Sequence, residues 1–278
     1  MTPWNNKPIK YAVFSAGSMG GLAFIGAWKH LEERGLSSGI IGFAGSSSGS
    51  IMATLASIGY SSEELERLGK YLKYEQLVNL QLFGLFENMG LETGDKIEEL
   101  IRELIARKTG NGNITFRALE RLTGRQLYIT GSCLDEEKCY YFCAKDTPDM
   151  PVVRAIRISI ALPWIFAAVK HEDKVYVDGG LYDPCPVSVF PRDETVALRV
   201  VNNTTVERDL HPFLHYSLTI LFSMYRRLHR AHYAMIRDNY RFIEIDTGAD
   251  SLSLDVSKKQ RVAIIRAGYQ QTKAIIMK

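Results

Sequence analysis

Ser47 stands at the centre of Gly45-Ser46-Ser47-Ser48-Gly49, between the apolar run Ile40-Ile41-Gly42-Phe43-Ala44 and a helix-like stretch from Ser50 to Ser57. A G-x-S-x-G between a strand and a helix presents its serine on a turn too tight for larger neighbours, the geometry of an acyl-transfer nucleophile. Serine-glycine clusters also form ordinary βα loops and anion-binding turns, so the pattern takes its meaning from its surroundings. Ser46 and Ser48 are not centred between the glycines, which leaves Ser47 as the candidate nucleophile.

Acyl transfer also needs a base within hydrogen-bond reach and donors aimed at the developing oxyanion. The loop Ala16-Gly17-Ser18-Met19-Gly20-Gly21 closes the strand signal Tyr11-Ala12-Val13-Phe14, and backbone N–H groups of Gly17, Ser18 and Met19 are the candidate donors. If the two strands are neighbours, they lie about 4.8 Å apart and their loops meet at one rim. A dinucleotide-cradling loop is the competing reading, but it expects an acidic residue after the second strand, where this chain has Ala44-Gly45-Ser46. The candidate base is Asp178, which ends the strand Lys174-Val175-Tyr176-Val177 and precedes Gly179-Gly180. Asp-Gly is also a common turn dipeptide; its place at a strand's carboxyl end is what recommends it. A carboxylate taking the serine proton needs a raised pKa, which an apolar pocket supplies, and Leu162-Pro163-Trp164-Ile165-Phe166 is suited to line one. A Ser-Asp-His triad with His211 or His215 would follow the α/β-hydrolase order, but that fold builds several strands before its elbow, and His211, His215, His229 and His232 fall in a helical segment.

The elements that would position these residues alternate. The strand 11–14, an amphipathic helix from about Leu22 to Arg34 capped by Gly35, the strand 40–44 and a helix ending near Gly59 predict an α/β fold with a parallel-rich central sheet covered by helices. Ser61-Ser62-Glu63-Glu64 is a capping-box start for a helix to about Asn79, followed by the apolar, irregular stretch Leu80 to Met89. Further helices are expected at Thr93 to Lys108, at Ile114 to Leu122 with Thr115 as cap, at Arg154 to Leu162, at His211 to Arg237 and at Lys258 to Met277. A hairpin is expected over Leu127 to Lys145, turning at Asp135-Glu136-Glu137, with strands at Thr195 to Val201 and Arg241 to Ile245.

The chain has 278 residues, 46% of them hydrophobic and 23% charged, which provides ample core material, and no repeat or linker divides it. A formal charge of +3 gives no electrostatic reason to expect nucleic acid as a partner. The first ten residues lack the apolar core of a secretory signal, and no window reaches the roughly 18 apolar residues of a membrane span. Cys133, Cys139, Cys143 and Cys185 read as structural thiols of a reduced, cytoplasmic protein. Cys139 and Cys143 lie four strand residues apart, about 13 Å, too far for one metal ion.

Four landmarks in order, the glycine loop with Leu22 to Gly26 after it, the elbow Gly45 to Gly49, the segment Ser159 to Phe166 and Asp178-Gly179-Gly180, resemble the patatin-like phospholipase family. The resemblance implies a three-layer α/β/α fold over one domain, with a motif-bearing core at about 9–202 and an extension at about 203–278. It implies a Ser47–Asp178 dyad without histidine, metal or cofactor, acting as a phospholipase A or lipid acyl hydrolase, with Gly17, Gly21, Gly45, Gly49, Gly179 and Gly180 as motif glycines. Ala16, Ser18 and Gly20 depart from the family's G-G-G-x-R/K-G. A left-handed backbone at Ala16 or Ser18 would strain the loop, and the companion reading is a weakened or inactive lipid-binding scaffold. A lipid substrate implies a docking surface on anionic membrane at about 211–237. Leu214, Leu218, Leu221, Tyr225 and Leu228 recur there at helical spacing beside Arg226, Arg227, Arg230 and Arg237; the favoured alternative is a core-facing stripe with a solvated basic face.

Overall fold

The computed structural model describes residues 8–72, 77, 89–201, 212–248 and 256–277. In chain order the elements are β1 (Tyr11–Phe14), α1 (Ala23–Glu33), β2 (Gly42–Gly45), α2 (Ser48–Ser57), α3 (Ser62–Tyr71), β3 (Gly90–Glu92), α4 (Asp95–Thr109), α5 (Phe116–Thr123), β4 (Gln126–Cys133), β5 (Lys138–Phe142), α6 (Val152–Ser159), β6 (Trp164–Phe166), β7 (Val169–His171), β8 (Lys174–Asp178), β9 (Thr195–Val201), α7 (Pro212–Ile236), β10 (Arg241–Asp246) and α8 (Lys258–Ile276). The main sheet runs β10-β9-β1-β2-β4-β8-β7, with β5 on β4. The pairs from β10 to β4 are parallel, whereas β8, β7 and β5 join antiparallel.

The central strands are short apolar runs buried on both faces, as parallel strands under two covers must be. Ala12 and Phe14 of β1 point into the large core shared with α1, α2 and α8, while Val13 points the other way, toward Ala44, Ala197, Val187 and Phe190. The first cover is a layer of helices; the second is the irregular segment around 184–190 with the end of α7. The C-terminal residues complete this design, since β10 pairs along β9 and α8 lies across α1.

Local signals act where they were read. Ser61 and Glu64 form a reciprocal capping box, and the Thr115 hydroxyl accepts the Ala118 N–H. The stretch Leu80 to Met89 and the end of the helix expected to reach Asn79 lie largely outside the described residues. Strands β3, β6 and β7, three residues each, were not anticipated. β3 and β6 pair parallel to form a separate ribbon, tied by the buried Arg157 guanidinium, which donates to the carbonyls of Ala167 at 2.9 Å and of Thr93.

That ribbon decides the direction of α7. Leu91, Ile165 and Phe166 pack against Leu214, Leu218 and Phe222, so the stripe Leu214, Leu218, Leu221 and Tyr225 is core-facing and is no docking surface; only Leu228 of that set is exposed. Among the described residues no helix is long and apolar enough to cross a membrane.

Helices α1 and α8 touch backbone to backbone. A Cβ at Gly26 would fall on the Ile265 carbonyl oxygen, and one at Gly268 on that of Ala23. Gly268→Ala must push the helices apart and is expected to cost about 2 kcal/mol or more, lowering Tm by roughly 2–4 °C per kcal/mol. A thermal melt unchanged from the parent protein would contradict this packing.

Candidate active site

The site is assembled by register. Phe14 lies opposite Gly45, so the loops after β1 and β2 leave the sheet at one level. Gly45 in turn pairs with Ile129 of β4, and Asp178 with Gly131, two residues further along the same strand. Because β2 runs with β4 and β8 runs against it, their carboxyl ends face each other. Ser47 and Asp178, far apart in sequence, meet there: Ser47 Oγ donates to Asp178 Oδ2 at 2.6 Å. Asp178 thus ends a strand, as read from sequence, but one that arrives from the opposite direction to the rest of the rim.

The elbow glycines are demanded by crowding. A Cβ at Gly45 would strike the Gly49 carbonyl, and one at Gly49 the Phe14 carbonyl. The left-handed residue is Ser47 itself, at φ 52° and ψ −127°, a conformation that costs on the order of 1–3 kcal/mol and needs support. Support comes from two sides: Ser47 N–H donates to Ser159 Oγ at 3.0 Å, and Ser50 Oγ donates to the Ser47 carbonyl at 2.6 Å. The sequence marked the segment from Ser159 onward without showing this anchor.

Asp178 is 2% exposed. Its Oδ1 accepts the Gly180 N–H at 2.7 Å, and its carbonyl accepts Ser132 Oγ at 2.9 Å. Burial pushes its carboxyl up to about 7, against the opposing pull of the hydrogen bonds from Ser47 and Gly180. Gly179 is pressed on Thr130, where no side chain fits. The Gly180 carbonyl is held by His229 Nε2 at 2.9 Å, and burial lowers that imidazole to about 4, so it is neutral and its Nε2–H is the donor.

Among the described residues, then, the histidine that reaches the site grips the turn behind Asp178 and forms no hydrogen bond to Ser47 or Asp178. His215 lies elsewhere on α7, and His211 lies outside the described residues. A serine triad gains no support. The involvement of His229 had no sequence signal beyond its place in a long helix.

The glycine loop forms a single 3-10 turn, Ser18–Leu22, with Gly17 before it. The first N–H groups of such a turn lack intrahelical acceptors, and Ser18 and Met19 line the cavity space shared with Ser47. Of the departures from the family pattern, only Ser18 carries strain, at φ 48°. Ala16 has no positive φ and is anchored by its N–H to the Pro184 carbonyl at 2.7 Å, while Gly20 is buried in the turn. Gly21 gives the room in which Ser48 packs on the loop.

Two cavities meet at Ser47 and Asp178. One, about 240 Å³, runs between α2, α3 and α4 and is lined by aliphatic side chains including Ile51, Leu55, Leu68, Ile101 and Leu104, with Leu162 and Phe166 at its mouth. Trp164 of the same apolar run turns outward. The other, about 140 Å³, lies under α7 and β9 and is mixed in character, with Val200, Val201 and Phe222 beside Arg199, Arg226 and Arg230 on its wall. Among the described residues no group of three or more His, Cys, Asp or Glu side chains could hold a metal ion; Cys133, Cys143 and Cys185 are buried free thiols and Cys139 is half-buried.

Comparison with known proteins agrees with this architecture. The chain is 27% identical over 289 residues to an uncharacterized protein of Acanthamoeba polyphaga mimivirus, spanning 97% of this chain and 94% of that one. It is 30% identical over 188 residues to a probable lipid hydrolase of Invertebrate iridescent virus 6, covering 66% of this chain and 63% of the relative. Its fold matches VipD from Legionella pneumophila with a TM-score of 0.64 at 15% identity, over 98% of this chain and 67% of that one. It matches the type III effector ExoU with a TM-score of 0.60 at 18% identity, over 98% of this chain and 53% of that one. The patatin-like phospholipase profile covers residues 12–191, from the first strand past Asp178 and its glycines, and the chain belongs to the patatin-like phospholipase family.

Proposed function

We propose that this protein hydrolyses the acyl esters of phospholipids or related lipids, as a phospholipase A or a lipid acyl hydrolase, with Ser47 as nucleophile and Asp178 as the group that takes its proton. The observation that carries the reading is the 2.6 Å hydrogen bond from Ser47 Oγ to a buried carboxylate at the mouth of an apolar cavity. An ester whose acyl chain lies in that cavity brings its carbonyl carbon to Ser47. Oγ attacks as its proton passes to Asp178, the carbonyl oxygen becomes an oxyanion facing the N–H groups of Gly17, Ser18 and Met19, and collapse expels the alcohol with the proton from Asp178. Water then repeats the sequence on the acyl-enzyme and releases the fatty acid. A carboxyl near 7 is a better proton acceptor for a serine than one at the ordinary 3.8.

A second reading, lipid binding without turnover, draws on the strained Ser18 in place of glycine. The two readings separate cleanly. Under the hydrolase reading, Ser47→Ala and Asp178→Asn each lower fatty-acid release from phospholipid micelles by about 10³-fold or more, and a fluorophosphonate labels the parent protein but not Ser47→Ala. Labelling and release that do not depend on Ser47 would sink it.

The acidity of Asp178 has two measurable consequences. Only its ionised form can accept a proton, so kcat/KM rises with pH to a plateau above about 7. In stability the sign is opposite. The folded protein keeps this proton up to about 7 while the unfolded chain releases it near 3.8, so the native state has its full advantage below about 4 and loses it as pH climbs to 7. Asp178→Asn is therefore expected to melt several degrees above the parent protein at pH 8 and close to it at pH 4. Equal shifts at both pH values would contradict a raised carboxyl.

A membrane-facing surface also belongs to this reading, on a face of α7 other than the one its leucine spacing suggested. Phe213, Tyr216, Ile220, Met224 and Leu228 recur every three or four residues and are 41% to 65% exposed. Arg227, three residues after Met224, adjoins them, and the same helix walls the cavity at Ser47 with Arg226 and Arg230. The proposed occupant is an anionic bilayer. Ile220→Asp with Met224→Asp should reduce cosedimentation with phosphatidylglycerol vesicles several-fold; undiminished cosedimentation would remove the assignment.

A further inference from the structure

The cavity under α7 shares Ser47, Asp178, Gly17 and Ser18 with the chemistry above, but the rest of its wall has no part in it. Its described lining includes Arg199, Arg226 and Arg230 and one carboxylate, Asp178, which accepts hydrogen bonds from Ser47 and Gly180; Arg226, like Arg199, already has an interaction partner within the fold. Arg226 and Arg230 are one helical turn apart on α7, so their positive charges reinforce each other at one wall. Arg199 is fixed in place by Glu244 at 2.7 Å and lies over the Tyr233 ring at 4.0 Å. A further observation points to a ligand. The hydroxyl of Tyr225, a residue only 7% exposed that lines the same cavity, has no hydrogen-bond partner among the described residues. A buried hydroxyl left unsatisfied is destabilising unless a bound group completes it.

We propose that this cavity is the subsite for the phosphate of an anionic lipid head group, and that the preferred substrates are phospholipids with a net negative head, such as phosphatidic acid, over zwitterionic ones. The proposal rests on the hydrolase reading and follows from the two-sided geometry. With the acyl chain in the aliphatic cavity and its carbonyl at Ser47, the alcohol half of the ester extends to the opposite side, where the arginines stand. Tyr225 O–H donates to a phosphate oxygen, Arg226 and Arg230 supply charge-assisted hydrogen bonds, and the leaving group is thereby held as Asp178 returns its proton.

The test compares phosphatidic acid with phosphatidylcholine of the same acyl composition, each in neutral detergent micelles so that bilayer charge does not contribute. The parent protein should favour phosphatidic acid in kcat/KM by about tenfold or more, mostly through KM. Tyr225→Phe, which keeps the packing, and Arg226→Gln with Arg230→Gln should each cut that ratio, whereas Arg226→Lys with Arg230→Lys keeps most of it. A parent ratio near one, or a ratio unmoved in both Tyr225→Phe and the glutamine variant, overturns the proposal. Inhibition by inorganic phosphate without any head-group preference assigns the cavity to a free anion and also overturns it. Loss of Ser47-dependent fluorophosphonate labelling is a different failure, that of the hydrolase reading. In that event the micelle preference is read by binding to Ser47→Ala protein, and equal binding to both lipids ends the subsite as well.

Discussion

The structure turns on one carboxylate removed from water. Asp178 is buried almost completely at the end of a strand, with a serine hydroxyl and a backbone N–H as its side-chain hydrogen-bond partners. Two donors do not replace a hydration shell, so the group resists ionisation. Everything around it limits that cost or makes use of it. The opposed directions of β2 and β8 on β4 bring the hydroxyl to it, His229 and Ser132 hold the turn that carries it, and the two cavities meet above it.

Close backbone approach is the second theme. The elbow, the Asp178 turn and the crossing of α1 with α8 all use glycine where a methyl group would meet a carbonyl oxygen or a neighbouring side chain. The residues in left-handed conformations near the site, by contrast, are Ser47, Ser18 and Trp164. At Ser47 and Ser18 the backbone strain thus falls on residues that line the site, and glycine provides room around them.

Much of this was legible in the residues. The strand ends, the elbow, the hairpin over β4 and β5 and the Ser61 and Thr115 caps all rest on local patterns, periodicity and turn chemistry, which act within a few residues. What was not legible depends on long-range pairing. The direction of β8 is set by its partner, and Lys174 to Asp178 read the same either way. β3, β6 and β7 are too short to show a period. For α7, the spacing revealed an apolar stripe but not what would cover it. The β3–β6 ribbon covers it, and leaves Phe213, Tyr216 and Met224 outside, where mixed polarity had hidden a second stripe. Tyr225, Arg226 and His229 reach the site only because that helix is held there.

The distance between Ser47 and Asp178 along the chain, 131 residues, has a bearing on synthesis. A polypeptide emerging from the ribosome presents β1 and β2 long before β8 exists, and at that stage the elbow lacks its Ser159 anchor and Ser47 has no carboxylate beside it. The pair comes together only when β8 docks against β4 in the antiparallel sense. In a cell whose own membranes carry ester bonds of the proposed kind, the nascent chain would remain chemically silent until its tertiary structure is nearly complete.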